Sequence, residues 1–270
     1  MPRRPDVNLA ANAALTYRYD GSFEGFLCCV FESYTAHEMP AAIVGPDAPE
    51  VSLFDVKEIT TDVEHADRVA RSIPLRISPA ADDLLRHAFL TCLPEKEMVM
   101  LRFLRQGYRY GARFLSFAGN EEVWRLTEAV KKMLHEAHLL KGFIRFSDQQ
   151  GVLVTTIGPK NFVLPFLAHH FATRFPEEHI LIYDENHHAA LVYRPYESAV
   201  IPMDDFRAAP PDEEERKFRA LWRSFYDTIE LKPRRNEKCR MTLMPKRYWS
   251  YMTEFAKDEP PAMIKAGNDR

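Results

Sequence analysis

Phe143-Ile144-Arg145-Phe146, then Asp148-Gln149-Gln150-Gly151, then Val152-Leu153-Val154-Thr155-Thr156-Ile157: this run, together with the residues from Gly158 to Arg194, decides the fold. Two short apolar runs flank a polar segment that ends in glycine. Asp and Gly adopt turn conformations at low cost, so the pattern is that of a hairpin. Asn161 to Phe175 then repeats apolar residues at helical spacing. Ile180-Leu181-Ile182-Tyr183 and Ala190-Leu191-Val192-Tyr193 read as two more strands, joined across Asp184-Glu185-Asn186-His187-His188. Residues 143–194 are therefore expected to form hairpin, helix, hairpin: a small antiparallel sheet with a helix over it. The fold class is α+β, with helices from both sides of the chain around that sheet.

Upstream the chain reads as mainly helical. Thr16-Tyr17-Arg18-Tyr19 alternates like a short strand, Asp20-Gly21 makes a turn, and Ser22 is placed to cap a helix that buries Phe23, Phe26, Leu27, Val30, Phe31 and Tyr34. Residues 36–50 carry Pro40, Gly45, Pro46 and Pro49 and read as loop. Val51 to Ile59 looks extended. Asp62 caps a helix that Pro74 is expected to stop, and Ser78-Pro79 opens another, running to about Cys92. A helix over 95–108 buries Met98, Leu101, Leu104 and Tyr108, with Arg102, Arg105 and Arg109 on a neighbouring stripe and Arg113 beyond the Gly111 break. A longer helix over 121–140 turns Val123, Leu126, Val130, Met133, Leu134 and Ala137 inward.

Downstream, residues 195–202 read as irregular. Asp212 to Glu215 puts acid at the start of a helix, as the macrodipole favours, and that helix is expected to bury Phe218, Leu221, Trp222, Phe225 and Ile229. The character then changes. Lys232 to Arg247 holds seven basic residues against the single acid Glu237, a local +6 in a chain whose net charge is −3. The expected organisation is a tail over 1–15 and one domain over 16–255. Within that domain, 16–141 is helix-rich, 143–194 is the sheet unit, and 211–255 holds the last helix and the basic block. A second tail covers 256–270.

Composition narrows the function classes. The four cysteines, Cys28, Cys29, Cys92 and Cys239, form no CxxC, so neither a zinc site nor a disulfide framework is suggested, and a reduced, cytoplasmic location is expected. No apolar run approaches the ~20 residues of a membrane helix, so no membrane role is expected. There is no GxSxG, P-loop, GxGxxG or HExxH. His135 and His138 have a spacing that a metal can use, but no carboxylate or cysteine joins them at a ligand spacing; no metal and no cofactor is expected.

Two sets of side chains are candidates for function. Arg234, Arg235, Asn236, Lys238, Arg240, Lys246 and Arg247 can neutralise phosphates, and Tyr248 or Trp249 can stack on a base. The same block also reads as a solvated basic segment whose Tyr and Trp pack into the core. Asp20 and Asp184, each at the end of a strand, together with His169, His170 and Arg174, are the polar groups nearest the sheet and the only candidates for acid–base chemistry. Both aspartates also read as ordinary turn caps.

Several stretches together resemble a known family. They are Tyr17-Arg18-Tyr19-Asp20-Gly21-Ser22-Phe23-Glu24-Gly25-Phe26-Leu27 near the N-terminus; His169-His170-Phe171-Ala172-Thr173-Arg174-Phe175 with Leu181-Ile182-Tyr183-Asp184 in the centre; and Arg235-Asn236, Met244-Pro245-Lys246-Arg247-Tyr248-Trp249 and Thr253-Glu254 near the C-terminus. They resemble a bacterial family of DNA metabolism proteins, over about Thr16 to Phe255. The resemblance implies pairing with a radical-SAM protein of DNA repair or modification; elsewhere a similar domain is fused to a uracil-DNA-glycosylase-like domain. That family has no established catalytic residues, so none carries over. After Asp184 the family pattern has basic residues and a glycine, where this chain has Glu185-Asn186-His187-His188-Ala189-Ala190.

The expectation is a DNA-associated accessory protein that presents nucleic acid to a partner enzyme. The alternatives are an enzyme acting on a nucleic-acid base or end through the Asp20, Asp184, His169, His170 and Arg174 group, and an adaptor that binds only protein.

Overall fold

The computed structural model describes residues 15–48, 55–117, 119–229, 236, 238, 241–242 and 244–252. The chain divides into two compact units, Met1–Met133 and Leu134–Arg270.

In the first unit β1 (Leu15–Arg18) is the central strand of a three-stranded parallel sheet, between β2 (Ala42–Val44) and β3 (Asp55–Glu58). Four helices accompany it: α1 (Phe23–Thr35), α2 (Val63–Arg76), α3 (Pro79–Phe89) and α4 (Lys96–Tyr110). Ser22, Asp62 and Ser78 each accept a hydrogen bond from a backbone N–H of the first turn they open, in line with their place in the sequence. Tyr17, Phe26, Ile73, Leu85, Phe103 and Phe114 are fully buried and form the centre of the core. Arg105 donates to the carbonyls of Ser33 and Glu38 and to the Ser33 hydroxyl, tying down the end of α1.

Two expectations fail in this unit. Residues 42–44 form a strand inside the span read as loop, because a three-residue strand between Pro40 and Gly45 is too short to show a period and is held by its ladder to β1. Pro74 does not stop α2, which continues to Arg76: a proline removes one helical bond, and Ile73, wholly buried, still accepts from Ile77 N–H beyond it.

The boundary between the units falls within α5 (Glu121–Phe143). The second unit is built on a five-stranded sheet in the order of the chain: β4 (Ser147–Gln149), β5 (Val152–Ile157), β6 (His179–Asp184), β7 (Ala189–Arg194) and β8 (Glu197–Pro202). Helices α6 (Leu164–Arg174) and α7 (Glu213–Ile229) complete it.

The α+β class holds, and the sheet is mixed rather than antiparallel. β5 and β6 run parallel, Val152 opposite His179 through Ile157 opposite Asp184, because α6 returns the chain to the end at which β5 began. The first strand is not Phe143–Phe146. Phe143 still belongs to α5, and the strand is Ser147–Gln149, with the turn at Gln150 and Gly151, whose φ angles are 56° and 84°. A short edge strand needs only the ladder, so its polar residues gave no apolar signal. Residues 197–202, read as irregular, form the opposite edge; all six are exposed, which removes the alternation that marks a strand.

Apolar positions on two helices also depart from expectation. Leu134 on α5 is exposed. On α7, Phe218, Leu221 and Phe225 are 62%, 66% and 53% exposed. Acid does occupy its first turn, where Glu215 N–H donates to Asp212. Among the described residues no helix is long and apolar enough to cross a membrane.

Candidate nucleic-acid interface

The second unit contains a groove of about 450 Å³ where the end of α5, the end of α6 and the start of α7 meet. Four cations line it, Lys141, Arg145, Arg174 and Arg219, against one carboxylate, Glu215. Lys141 and Arg174 stand in the last turns of α5 and α6, where the negative end of a helix dipole favours a cation. Each dipole end carries roughly half a negative charge, so the two offset about one cation, and the lining remains positive. Glu215 accepts from Arg219 Nε at 2.8 Å, and the same guanidinium donates to the Ser147 hydroxyl at 2.6 Å. Arg145 donates to the carbonyls of Gly142 and Ile144 and lies 5.7 Å from the Trp222 ring centre.

The same groove is lined by five aromatic rings: Phe146, Phe171, Phe175, Phe218 and Trp222. Phe146 meets Phe171 and Phe175 edge-on, at 5.2 and 6.0 Å between centres, so these three brace one wall. Phe218 and Trp222 lie one helical turn apart on α7 and present exposed rings. His170 is next to this charge. Burial, then the cations of Lys141 and Arg174, holds its imidazole below the ordinary 6.5, and among the described residues its Nε2 is buried without a hydrogen-bond partner.

The described part of the C-terminal basic block divides between surface and interior. Arg234, Arg235 and Arg240 lie outside the described residues. Asn236 and Lys238 are exposed. Lys246 is exposed, with its Nζ 5.8 Å from the Trp249 ring. Trp249 donates its indole N–H to the Met244 carbonyl. Arg247 pairs with Glu136 at 3.0 Å. Tyr248 is 1% exposed and packs on Phe143, so it has no ring face to offer a base. This corrects the stacking role expected of it; the bulk of an aromatic ring is worth more inside a core than on a surface.

The 3-10 turn Lys246–Tyr251 is in fact a clasp. Glu136, 3% exposed, accepts from the backbone N–H groups of Lys160 and Asn161, from the Asn161 amide and from the Tyr248 hydroxyl. Tyr251 donates to Glu185, and Gly158 leaves the space for it: a Cβ there would lie 2.1 Å from the Tyr251 hydroxyl.

The four polar candidates of the second unit do not form one cluster. Asp20 belongs to the first unit, where its carboxylate accepts from the Ser22 N–H and hydroxyl and from the Thr61 hydroxyl. Asp184 is wholly buried and satisfied within its own turn, by the N–H groups of Asn186 and His187 and by the His187 ring at 2.7 Å. Both are turn caps. His169 is exposed. His170 and Arg174 lie at the end of α6, which runs back to where β6 begins, whereas Asp184 ends β6. Among the described residues no three His, Cys, Asp or Glu side chains gather as a metal site.

Sequence reasoning named Arg174 and His170 only as acid–base candidates and missed Lys141, Arg145, Arg219 and the aromatic wall. The available signal was a cation in the last turn of two successive helices, which pattern alone assigns to the dipole.

Comparison with known proteins returns one family. Residues 94–254, more than half of the chain, match the model of a family described as a domain of unknown function, DUF4130. The match includes the groove, the clasp, the central stretch His169 to Asp184 and the C-terminal stretch Arg235 to Glu254; Tyr17 to Leu27 lies outside it. No curated protein matches. No solved structure matches.

Proposed function

The chain belongs to the DUF4130 family; we propose that it is a DNA-associated accessory protein that holds nucleic acid and passes it to a partner enzyme. The observation that supports this reading is the groove: four cations and five aromatic rings around one carboxylate that is already tied to Arg219. Cations neutralise phosphates and rings accept base faces; the combination suits nucleic acid better than a small metabolite or a bare anion. The partner, by the resemblance to DNA metabolism proteins, is a radical-SAM protein of DNA repair or modification or a uracil-DNA-glycosylase-like protein. An enzymatic role through the Asp20 and Asp184 group has no support from placement, since Asp20 is engaged by Ser22 and Thr61 and Asp184 by its own turn.

The test is fluorescence anisotropy of the purified full chain with labelled DNA across a salt series. The expected result is binding that weakens steeply with salt. A Lys141→Ala/Arg174→Ala variant should bind more weakly, its slope reduced by roughly 0.7 for each single-strand phosphate that is no longer neutralised. Arg145 and Arg219 also hold backbone and side-chain partners, so Lys141 and Arg174 test charge with least disturbance. No binding by the wild type at low salt rejects this reading and leaves the adaptor that binds only protein, for which the exposed Phe218, Leu221 and Phe225 of α7 are the supporting observation.

A further inference from the structure

The rings in the groove have a use that duplex DNA does not supply. In a duplex the base faces are stacked on one another, and only phosphates and base edges reach a protein. An aromatic surface gains from a nucleic acid only when bases are unpaired and turn their flat faces outward. The groove has two such surfaces. Phe218 and Trp222 line it from α7, four residues apart and therefore on one face, and Phe218 is 62% exposed. Large exposed aromatic rings on a helix are a solubility cost unless they are used. Phe225 and Arg145 brace Trp222, at 5.5 and 5.7 Å from its ring. Lys141 and Arg174 lie around the same groove at the ends of two other helices. The volume, about 450 Å³, is in the range that encloses a nucleotide-sized ligand.

We propose that the groove binds unpaired nucleotides of a single strand, with bases stacked on Phe218 and Trp222 and the adjoining phosphates held by Lys141 and Arg174. This rests on the nucleic-acid reading and narrows it to substrate. It also accounts for α7, whose aromatic face is exposed where its pattern called for burial. A strand held with its bases splayed is the form in which an enzyme that acts on a base receives its target.

Three labelled probes of equal length separate the possibilities on the full chain: oligo-dT, an abasic strand with the same phosphates, and a duplex. Oligo-dT is expected to bind at least tenfold tighter than either of the others and to quench tryptophan fluorescence. Trp222→Ala and Phe218→Ala are each expected to weaken oligo-dT binding roughly tenfold, since stacking on one ring is typically worth about that factor. Trp222→Phe, which keeps an aromatic face, is expected to restore most of the loss while abolishing most of the quenching. If the abasic strand or the duplex binds as tightly as oligo-dT, or Trp222→Ala binds like wild type, single-strand stacking is rejected while phosphate binding stands. If none of the three probes binds, the nucleic-acid reading itself fails.

Discussion

Glu136 and Arg247, 111 residues apart in the chain, meet at 3.0 Å, with the carboxylate buried and the guanidinium 40% exposed. A charged group is costly to bury unless every lone pair finds a donor. Glu136 has donors from the 160–161 backbone, Asn161 and Tyr248 besides Arg247. The pair therefore joins three separate stretches of the second unit: α5, the loop before α6, and the C-terminal turn.

The two halves of this pair are not expected to cost the same. Glu136→Ala strands two backbone N–H groups and an amide, and should destabilise the unit by roughly 3 kcal/mol. Arg247→Ala removes a half-exposed cation and should cost about 1 kcal/mol less. Urea denaturation followed by far-UV circular dichroism measures both; equal losses would show that the loop is held by something other than Glu136.

Gly25 offers a test in the first unit where two effects oppose. Ala is better than Gly inside a helix by about 1 kcal/mol. At this position, however, a Cβ would lie 2.2 Å from Asp20 Oδ1 and 2.9 Å from Thr61 Oγ1. Asp20 must move, and its hydrogen bonds to Ser22 and Thr61 go with it. Gly25→Ala is expected to lower stability by a net ~1–2 kcal/mol; a rise in the urea midpoint would mean that the turn has room to yield.

Asp20 also sets a pH dependence. Burial pushes its carboxyl up, but the Ser22 and Thr61 hydroxyls outweigh that and hold it below the ordinary 3.8. A carboxyl depressed in the folded state stabilises above its unfolded value and loses that contribution as pH falls through the folded value. The first unit should therefore weaken below about pH 4, and Asp20→Asn should flatten this part of the curve. The urea midpoint of wild type and variant, measured from about pH 5 down to about pH 2.5, checks the sign; parallel curves would assign the acid sensitivity to other carboxyls.

His170 reports on the groove. Its imidazole lies below 6.5 through burial and then through Lys141 and Arg174. A depressed histidine contributes stability above its unfolded pKa and loses it as pH falls through the folded one. A phosphate bound between those cations screens them, so oligo-dT should raise the His170 pKa, and Lys141→Ala should raise it without any ligand. Imidazole proton shifts in an NMR titration measure both. An unchanged pKa with saturating oligo-dT would place the bound phosphates elsewhere.

The helices and most of the strands are written in the chain's local pattern. Ser22, Asp62 and Ser78 could be identified as caps because a cap is a local hydrogen bond between neighbours in the chain. The strands with apolar runs, β5, β6 and β7, could be read for the same reason: their pattern is written within six residues. Tertiary structure alone decided the edges, Ser147–Gln149 and Glu197–Pro202, since an edge strand is defined by its partner's ladder and needs no apolar face of its own. It also decided which aromatic residues are inside. Tyr248 lies in a basic segment and is buried; Phe218 lies on an amphipathic helix and is exposed. Composition ranks residues by what burial would gain, but only the packing of distant elements says where an interior exists. The groove was invisible for the same reason: Lys141, Arg174 and Trp222 come from three helices, and no spacing along the chain encodes their meeting.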